Sequence, residues 1–278
     1  MRYGYWLPVF GGWLRNVPNE SMQATWSYVK RLAQRSEQLG FDVTLIAELN
    51  LNDIKGVEAP SLDAWSTAAA LAAVTDRIEL MVAVRPTFHL PALLAKQAAN
   101  IDHISGGRLT LNVVSSWWAD EARKYGVGFE QHDDRYARTG EWLDVLNGVW
   151  SQDHFSFSGK YYRVEDNVLE PKPVSQPRPT LYAGGESPAA GRILCPYSVC
   201  SHLSRIARES VGFTQYTRAA SQFRIATGSV NPDCGRGAGT RVPPVIPSGA
   251  RNLYCIEIVW VNVRIPRFAR NDTPTSAW

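Results

Sequence analysis

Two side chains with acid–base and anion-binding chemistry lie four positions apart, directly after an apolar run that predicts a strand. Arg85 and His89 follow residues 78–84. An arginine beyond a strand end can attract an anionic substrate, and a histidine can shuttle a proton near neutral pH. A structural arginine and a half-buried loop histidine fit the same pattern equally well. The pair is therefore our candidate for the catalytic groups.

Metal chemistry is not expected. The other histidines have no partner at a ligand-like spacing, and the cysteines match no zinc motif. These residues are His103, His132, His154, His202, Cys195, Cys200, Cys234 and Cys255. We expect free thiols and no metal site.

The first 192 residues alternate short apolar runs with longer amphipathic stretches, which is typical of βα units. The predicted strands are 3–10, 43–46, 78–84, 109–114 and 180–183, and the predicted helices are 22–39, 61–74, 91–104 and 133–150. This order predicts an α/β fold with a parallel sheet, either a barrel or an open doubly wound sheet. No G-x-G-x-x-G follows the first strand, which disfavours a dinucleotide-binding domain.

Local signals set the expected ends of several elements. Gly40 suits a helix C-cap, Ser61 suits an N-cap, and Pro91 suits a first helical position. Residues 155–164 alternate like a hairpin, with Ser158 and Gly159 as its turn.

Charge divides the chain near residue 192. Residues 1–192 hold 19 Lys and Arg against 22 Asp and Glu, whereas residues 193–278 hold ten Arg, no Lys and four acidic residues. We therefore predict two regions, 1–192 and 193–278. The Arg residues of the second are scattered singly, so no nucleic-acid partner is expected. It shows no βα period and one strand-like run, 252–263.

No apolar run reaches membrane length and no secretory signal is recognisable, so we expect a cytoplasmic protein without a membrane partner.

Three segments in order resemble a known family. They are RPTFHLPALLAKQAANIDHISGGRLTLNVVSSWW, HDDRYARTGEWLDVLNGVW and FSFSGKYYRVEDNVLEPKPVSQPRPTLYAGGESPAA. Residues 1–192 resemble the luciferase-like flavin-dependent monooxygenases, specifically the alkanesulfonate, dimethylsulfone and pyrimidine monooxygenase group. The resemblance implies a (β/α)8 TIM barrel with its site at the carboxyl ends of the strands.

The same resemblance implies a two-component enzyme. Reduced FMN, supplied by a separate NAD(P)H flavin reductase, would act with O2 on a small organic substrate, with an organosulfur compound such as a sulfonate or sulfone favoured. A homo-oligomer is expected. Two alternatives remain: a deazaflavin-dependent hydride-transfer oxidoreductase of the same superfamily, and an inactive truncated fragment.

The resemblance also places flavin contacts on particular residues. Asn112, at the end of the fourth strand, could donate to and accept from the flavin edge. Arg135 could bind flavin oxygens or phosphate, and Ser187, after a glycine pair, could bind phosphate at a helix start. The remaining matched positions are Glu121, Tyr136, Glu48 and Leu49.

The chain departs from the family at two points. Ser61 lies near a position where alkanesulfonate monooxygenases carry a cysteine, which puts strict sulfonate specificity in doubt. Family members continue with three more βα units, whereas residues 193–278 resemble frameshifted or repeat-derived sequence. We therefore expect an incomplete barrel of about five units with an irregular tail, and first and fifth strands without outer neighbours. We also expect weak or no FMN binding by this chain alone.

Overall fold

A computed structural model describes residues 2–184 and 258–260 of the chain. Its strands are β1 (Arg2–Trp6), β2 (Val43–Ile46), β3 (Glu79–Val84), β4 (Leu109–Val113), β5 (Phe155–Ser158), β6 (Arg163–Asn167), β7 (Thr180–Ala183) and β8 (Ile258–Trp260). Its α-helices are α1 (Trp26–Gln38), α2 (Ala64–Ala72), α3 (Pro91–Ser105), α4 (Ala119–Lys124) and α5 (His132–Ser151). A 3-10 turn covers Pro86–Phe88.

Six strands form one parallel sheet in the order β7-β4-β3-β2-β1-β8, and β5 and β6 form a separate antiparallel hairpin. From β1 to β4 and then β7, neighbours in the sheet follow one another along the chain. A doubly wound sheet would reverse its strand order at a switch point, whereas a barrel does not. The fold is thus the predicted barrel type, incomplete in the described part of the chain.

The outer neighbour of β1 is a correction to the sequence-based expectation. The first strand was expected to lack one, but β8 pairs with it in parallel, with Arg2 opposite Ile258 and Gly4 opposite Trp260. This short strand lies inside the strand-like run 252–263. At the opposite edge of the sheet, no described residue pairs with the outer side of β7.

The core lies on both faces of the central strands. Every residue of β2 and β4 is buried, as expected for parallel strands covered on both sides. Helix α3 packs on α5, and the Trp142 indole is fully buried and donates to the His89 carbonyl at 2.9 Å. This packing fixes the loop that follows β3.

Several predicted boundaries were wrong for local reasons. The first strand ends at Trp6 instead of residue 10. Asp63 caps α2, because its carboxylate accepts the Ser66 N–H at 2.7 Å, while the Ser61 hydroxyl donates to the Leu49 carbonyl at 2.8 Å. The hairpin loop has four residues, 159–162, instead of a two-residue turn. The six-residue α4 was not predicted.

The signals at Gly40 and Pro91 were confirmed, and Gly106 has a similar role to Gly40. Gly106 ends α3 in the left-handed conformation with φ 64°, and Pro91 occupies the first turn of that helix. Gly40, just beyond α1, has φ 87°. Left-handed backbone at these positions explains why glycine stands there.

Candidate active site

A buried ionic network joins the carboxyl ends of β2, β3 and β4. Glu48 follows β2, Arg85 follows β3, and Glu121 lies on α4 after β4. Glu48 Oε2 accepts the Arg85 backbone N–H at 2.7 Å and lies 3.4 Å from Arg85 Nε. Arg85 Nη2 donates to Glu121 Oε1 at 3.1 Å, and Nη1 pairs with Glu121 Oε2. The three loops at this end are therefore held together by charge-assisted hydrogen bonds.

Burial decides what this network can do. Arg85 is 2% exposed, Glu121 0% and Glu48 8%. Glu121 Oε1 also accepts the Asn50 backbone N–H at 2.6 Å, so both of its oxygens are engaged. In this geometry the Arg85 guanidinium and the Glu121 carboxylate bind each other. Attraction of an anion by Arg85 and a flavin contact by Glu121 therefore stay predictions, and these contacts do not support them.

His89 is fixed from three sides. Its Nε2 lies within hydrogen-bond distance of Glu48 Oε1, its ring contacts the edge of Trp65 with 5.7 Å between centroids, and its carbonyl accepts from Trp142. Its side chain keeps 20% of its surface exposed. The predicted pair Arg85 and His89 is thus brought together through Glu48. His89 is the member of the pair that a substrate can reach.

Asn112 carries the clearest sign of a missing partner. Its side chain is 5% exposed, and its Oδ1 has no hydrogen-bond partner in the described part of the chain. A Cβ added to Gly184, just after β7, would lie 2.5 Å from that oxygen. Buried acceptors are normally satisfied. This oxygen, with a glycine beside it that adds no side chain, therefore fits a hydrogen-bond donor supplied by a ligand.

Arg135 and Tyr136 begin α5 near this end. Arg135 Nη1 donates to the Glu130 carbonyl at 2.6 Å and its guanidinium covers the Phe129 ring at 4.4 Å, but its buried Nε has no partner among the described residues. The Tyr136 ring contacts His132 with 4.9 Å between centroids. Arg135 thus resembles Asn112 in keeping one buried polar atom unsatisfied.

Other predicted contacts are less informative. Leu49 is half-buried against the core, and its carbonyl holds Ser61. Ser187 lies outside the described residues. The role of each as a flavin contact stays a prediction.

Sequence reasoning missed three residues at this end: Trp65, which donates to Glu48 Oε1 at 3.1 Å, Ser116 and Gly184. The Ser116 hydroxyl is buried and, within residues 2–184 and 258–260, has no partner. The sequence shows the Gly184–Gly185 pair. The reason why position 184 has no room for a side chain appears only in the structure, where β7 lies beside β4. No local pattern distinguishes Trp65 or Ser116.

A cavity of about 470 Å3 lies at the other end of the sheet. Its lining includes the first residues of strands, among them Arg2, Glu79, Thr110 and Thr180. Polar groups here satisfy one another: Arg2 pairs with Glu79, and Thr110 donates to Glu79 at 2.7 Å. Burial raises the pKa of the nearby Tyr182 to about 12. In barrels the amino end is associated with stability, so we place the active site elsewhere.

The described residues contain no His, Cys, Asp and Glu cluster able to hold a metal ion. None of the described helices is long and apolar enough to cross a membrane.

Comparisons with known proteins identify the family of this chain. Residues 1–195 match the luciferase-like monooxygenase family. An FMNH2-dependent dimethylsulfone monooxygenase of Pseudomonas putida is 37% identical over 192 residues, which are 68% of this chain and 52% of that protein. This chain therefore spans about half the length of that relative.

Solved structures share the fold. The EDTA monooxygenase of Chelativorans sp. BNC1 has a TM-score of 0.61 at 23% identity, covering 71% of this chain and 54% of that one. An F420-dependent secondary alcohol dehydrogenase has a TM-score of 0.60 at 21% identity over 71% and 56% of the two chains. The protein belongs to the bacterial luciferase-like monooxygenase family.

Proposed function

We propose that this chain carries the flavin-binding half of an FMNH2-dependent monooxygenase that oxidises a small organosulfur compound with O2. The observation that carries the proposal is the buried Asn112 Oδ1 beside Gly184 at the carboxyl end of β4, which has no hydrogen-bond partner among the described residues. A flavin ring edge carries N–H groups that would satisfy this oxygen. Bound reduced FMN would supply the electrons and activate O2, which protein side chains cannot do.

The chain's own residues would bind and orient that cofactor. Asn112 would accept from the ring edge, and Arg135 would donate through its Nε, for which residues 2–184 and 258–260 provide no partner. The Glu48–Arg85–Glu121 network would hold the surrounding loops rigid, because breaking a buried ion pair costs about 3–5 kcal/mol. Ser187 would contact the phosphate, as the family resemblance implies.

The charge of the network bears on the substrate. Glu48, Arg85 and Glu121 together carry one formal negative charge, and the arginine has no exposed face to offer an anion. An uncharged sulfone is therefore favoured over a sulfonate. The relative named above is a dimethylsulfone monooxygenase, which supports a sulfone as the substrate of this chain.

The partners and setting follow the same proposal. Reduced FMN would come from a separate NAD(P)H flavin reductase in the cytoplasm, and the chain would act as a homo-oligomer. The separate reductase and the homo-oligomer are what the family resemblance of this chain implies.

The test is turnover with defined components. Purified chain receives reduced FMN from a flavin reductase, 18O2, and either dimethylsulfone or a short alkanesulfonate. We expect one 18O atom in the organic product and faster O2 uptake with the sulfone. Incorporation with the sulfonate alone would contradict the substrate proposal. Hydride transfer with reduced F420 and no oxygen incorporation would favour the deazaflavin alternative, and no reaction at all would favour the inactive fragment.

A further inference from the structure

The carboxylate of Glu48 serves two groups with its two oxygens. Oε2 faces Arg85 and accepts its backbone N–H at 2.7 Å, while Oε1 accepts the Trp65 indole N–H at 3.1 Å and faces His89 Nε2. A carboxylate is an acceptor only. The nitrogen of His89 that faces it must therefore carry a proton.

This contact fixes the tautomer of the imidazole. With the proton on Nε2, the neutral ring keeps a lone pair on Nδ1. In the described part of the chain no hydrogen bond reaches Nδ1. The Glu48 contact at Nε2 and the edge of Trp65 position the ring, and the Trp142 indole holds the backbone carbonyl of His89. His89 thus presents one defined, unprotonated nitrogen at the carboxyl end of the sheet.

The charged groups around His89 carry a net negative formal charge. The charged groups facing His89 are Glu48 directly and, through it, Arg85 and Glu121, with a formal sum of −1. Proton uptake at Nδ1 brings the group to neutrality. A base held by an oriented carboxylate is a recurring arrangement for proton transfer.

We infer that His89 is the proton-transfer residue of this site, acting through Nδ1, and that Glu48 is its positioning residue. This differs from the flavin contact that the family resemblance assigns to Glu48. The catalytic part of the inference rests on the proposed monooxygenase function, whereas the positioning part depends only on the Glu48–His89 contact.

Substitution of Glu48 by Gln gives a spectroscopic test of the positioning part. A glutamine has one acceptor oxygen. The backbone N–H and the charged guanidinium of Arg85 should outcompete the single Trp65 indole N–H for it. The amide NH2 then faces His89, so Nε2 must become the acceptor and the proton must move to Nδ1. We expect the 15N chemical shifts of the two His89 nitrogens to exchange their pyrrole-like and pyridine-like positions in E48Q, in cofactor-free protein.

His103 provides the internal reference for that spectrum. Its Nε2 bonds the Lys172 carbonyl at 2.7 Å, far from Glu48 in the sequence and on a different part of the fold. Its shifts should not change, and H89Q assigns the His89 signals. A wild-type His89 protonated on Nδ1, or an unchanged tautomer in E48Q, would overturn the inference. The wild-type spectrum alone can do so, even if E48Q fails to fold.

Kinetics test the catalytic part. General acid–base groups typically contribute about 100-fold or more, so H89Q should lower kcat about 100-fold with KM changed less than about twofold. E48Q should lower kcat about 10-fold. Unchanged kcat in H89Q would refute the role in proton transfer. If the wild-type chain shows no turnover, the proposed function fails while the tautomer measurement still decides the positioning role.

Discussion

The two ends of the parallel sheet differ in how their buried polar groups are hydrogen-bonded. At the amino end, Arg108 donates to the carbonyls of Ala72, Thr75, Ile78 and Ser105 and to the Thr75 hydroxyl. At the carboxyl end, Asn112, Ser116 and Arg135 each keep a buried polar atom that has no partner among the described residues. A cavity of about 470 Å3 nevertheless lies at the amino end.

Buried polar atoms without a partner among the described residues also occur elsewhere, for example Asn167 Oδ1 in the hairpin, but three of them lie at the carboxyl end of the sheet, and we take this grouping as the mark of the candidate site. A buried polar atom without a partner costs about 1–3 kcal/mol, so a protein retains it where a ligand compensates. The Glu48–Arg85–Glu121 network lies at the same end, but its charged groups bind one another. We interpret it as the rigid support of the unsatisfied atoms. The predictions below test this division.

The largest effect is expected from Glu121→Ala. It leaves Arg85 buried with half of its ionic partners, which should lower the free energy of unfolding by about 3–5 kcal/mol. Urea denaturation followed by far-UV circular dichroism measures it. The exposed Glu58→Ala should change stability by less than about 0.5 kcal/mol. Equal stability of the two variants would show that the network does not support the carboxyl end.

Arg108→Met should lower the free energy of unfolding by about 2–3 kcal/mol, since it removes charge-assisted hydrogen bonds to four carbonyls. Because Arg108 lies at the amino end, the folded fraction should bind FMN as the wild type does. Urea denaturation and flavin fluorescence titration on the same preparation separate the two effects. A several-fold loss of FMN affinity would break the proposed division between the ends.

Gly184→Ala should cost about 1–3 kcal/mol by overpacking. The added Cβ would meet Asn112 Oδ1 and Val114 Cγ2, both at 2.5 Å. FMN affinity should fall as well, since Asn112 must move. Gly128→Ala is the matched control, because a Cβ there meets nothing within 4 Å. Thermal denaturation and flavin titration compare the two, and equal behaviour would count against the close approach of β4 and β7.

The smallest effect concerns pH at the amino end. Burial would raise the pKa of Glu37, but the backbone N–H groups of Ile78, Arg77 and Asp76 outweigh it and lower the pKa below the usual value. A depressed folded-state pKa gives stability above the unfolded pKa that is lost as pH falls through the folded value. The stability advantage of wild type over Glu37→Gln should therefore shrink in acid. Denaturation at pH 7 and pH 3 tests this, and a constant difference would contradict it.

Sequence patterns predicted two strands with their observed bounds. Residues 43–46 and 180–183 were predicted with the observed bounds, because short apolar runs between turn signals leave little freedom. The cap of α2 was missed, since Ser61 and Asp63 are both good capping residues and only the tertiary contact of Ser61 with Leu49 decides between them.

The site was predicted only in part, for a related reason. Position after a strand identified Arg85, His89 and Asn112 as residues of the carboxyl end. It could not show that Glu48 joins Arg85 to His89, because these partners are about 40 positions apart in the sequence. Hydrogen bonds between residues distant in the sequence depend on the register of the sheet. The same register places Asn112 Oδ1 where no described residue donates to it.

Flavin titration of Asn112→Ala tests the central claim most directly. The sequence predicted weak or no FMN binding, and of these two outcomes the site around Asn112 requires weak but saturable binding by the wild-type chain. The substitution should weaken this binding about 10-fold, which corresponds to about 1.4 kcal/mol for one hydrogen bond. It should leave stability unchanged or slightly raised. Asn147→Ala, whose amide donates to the Leu143 carbonyl on α5, is the control and should bind like wild type. Equal FMN affinity in all three proteins, or no saturable binding by the wild type, would contradict the account.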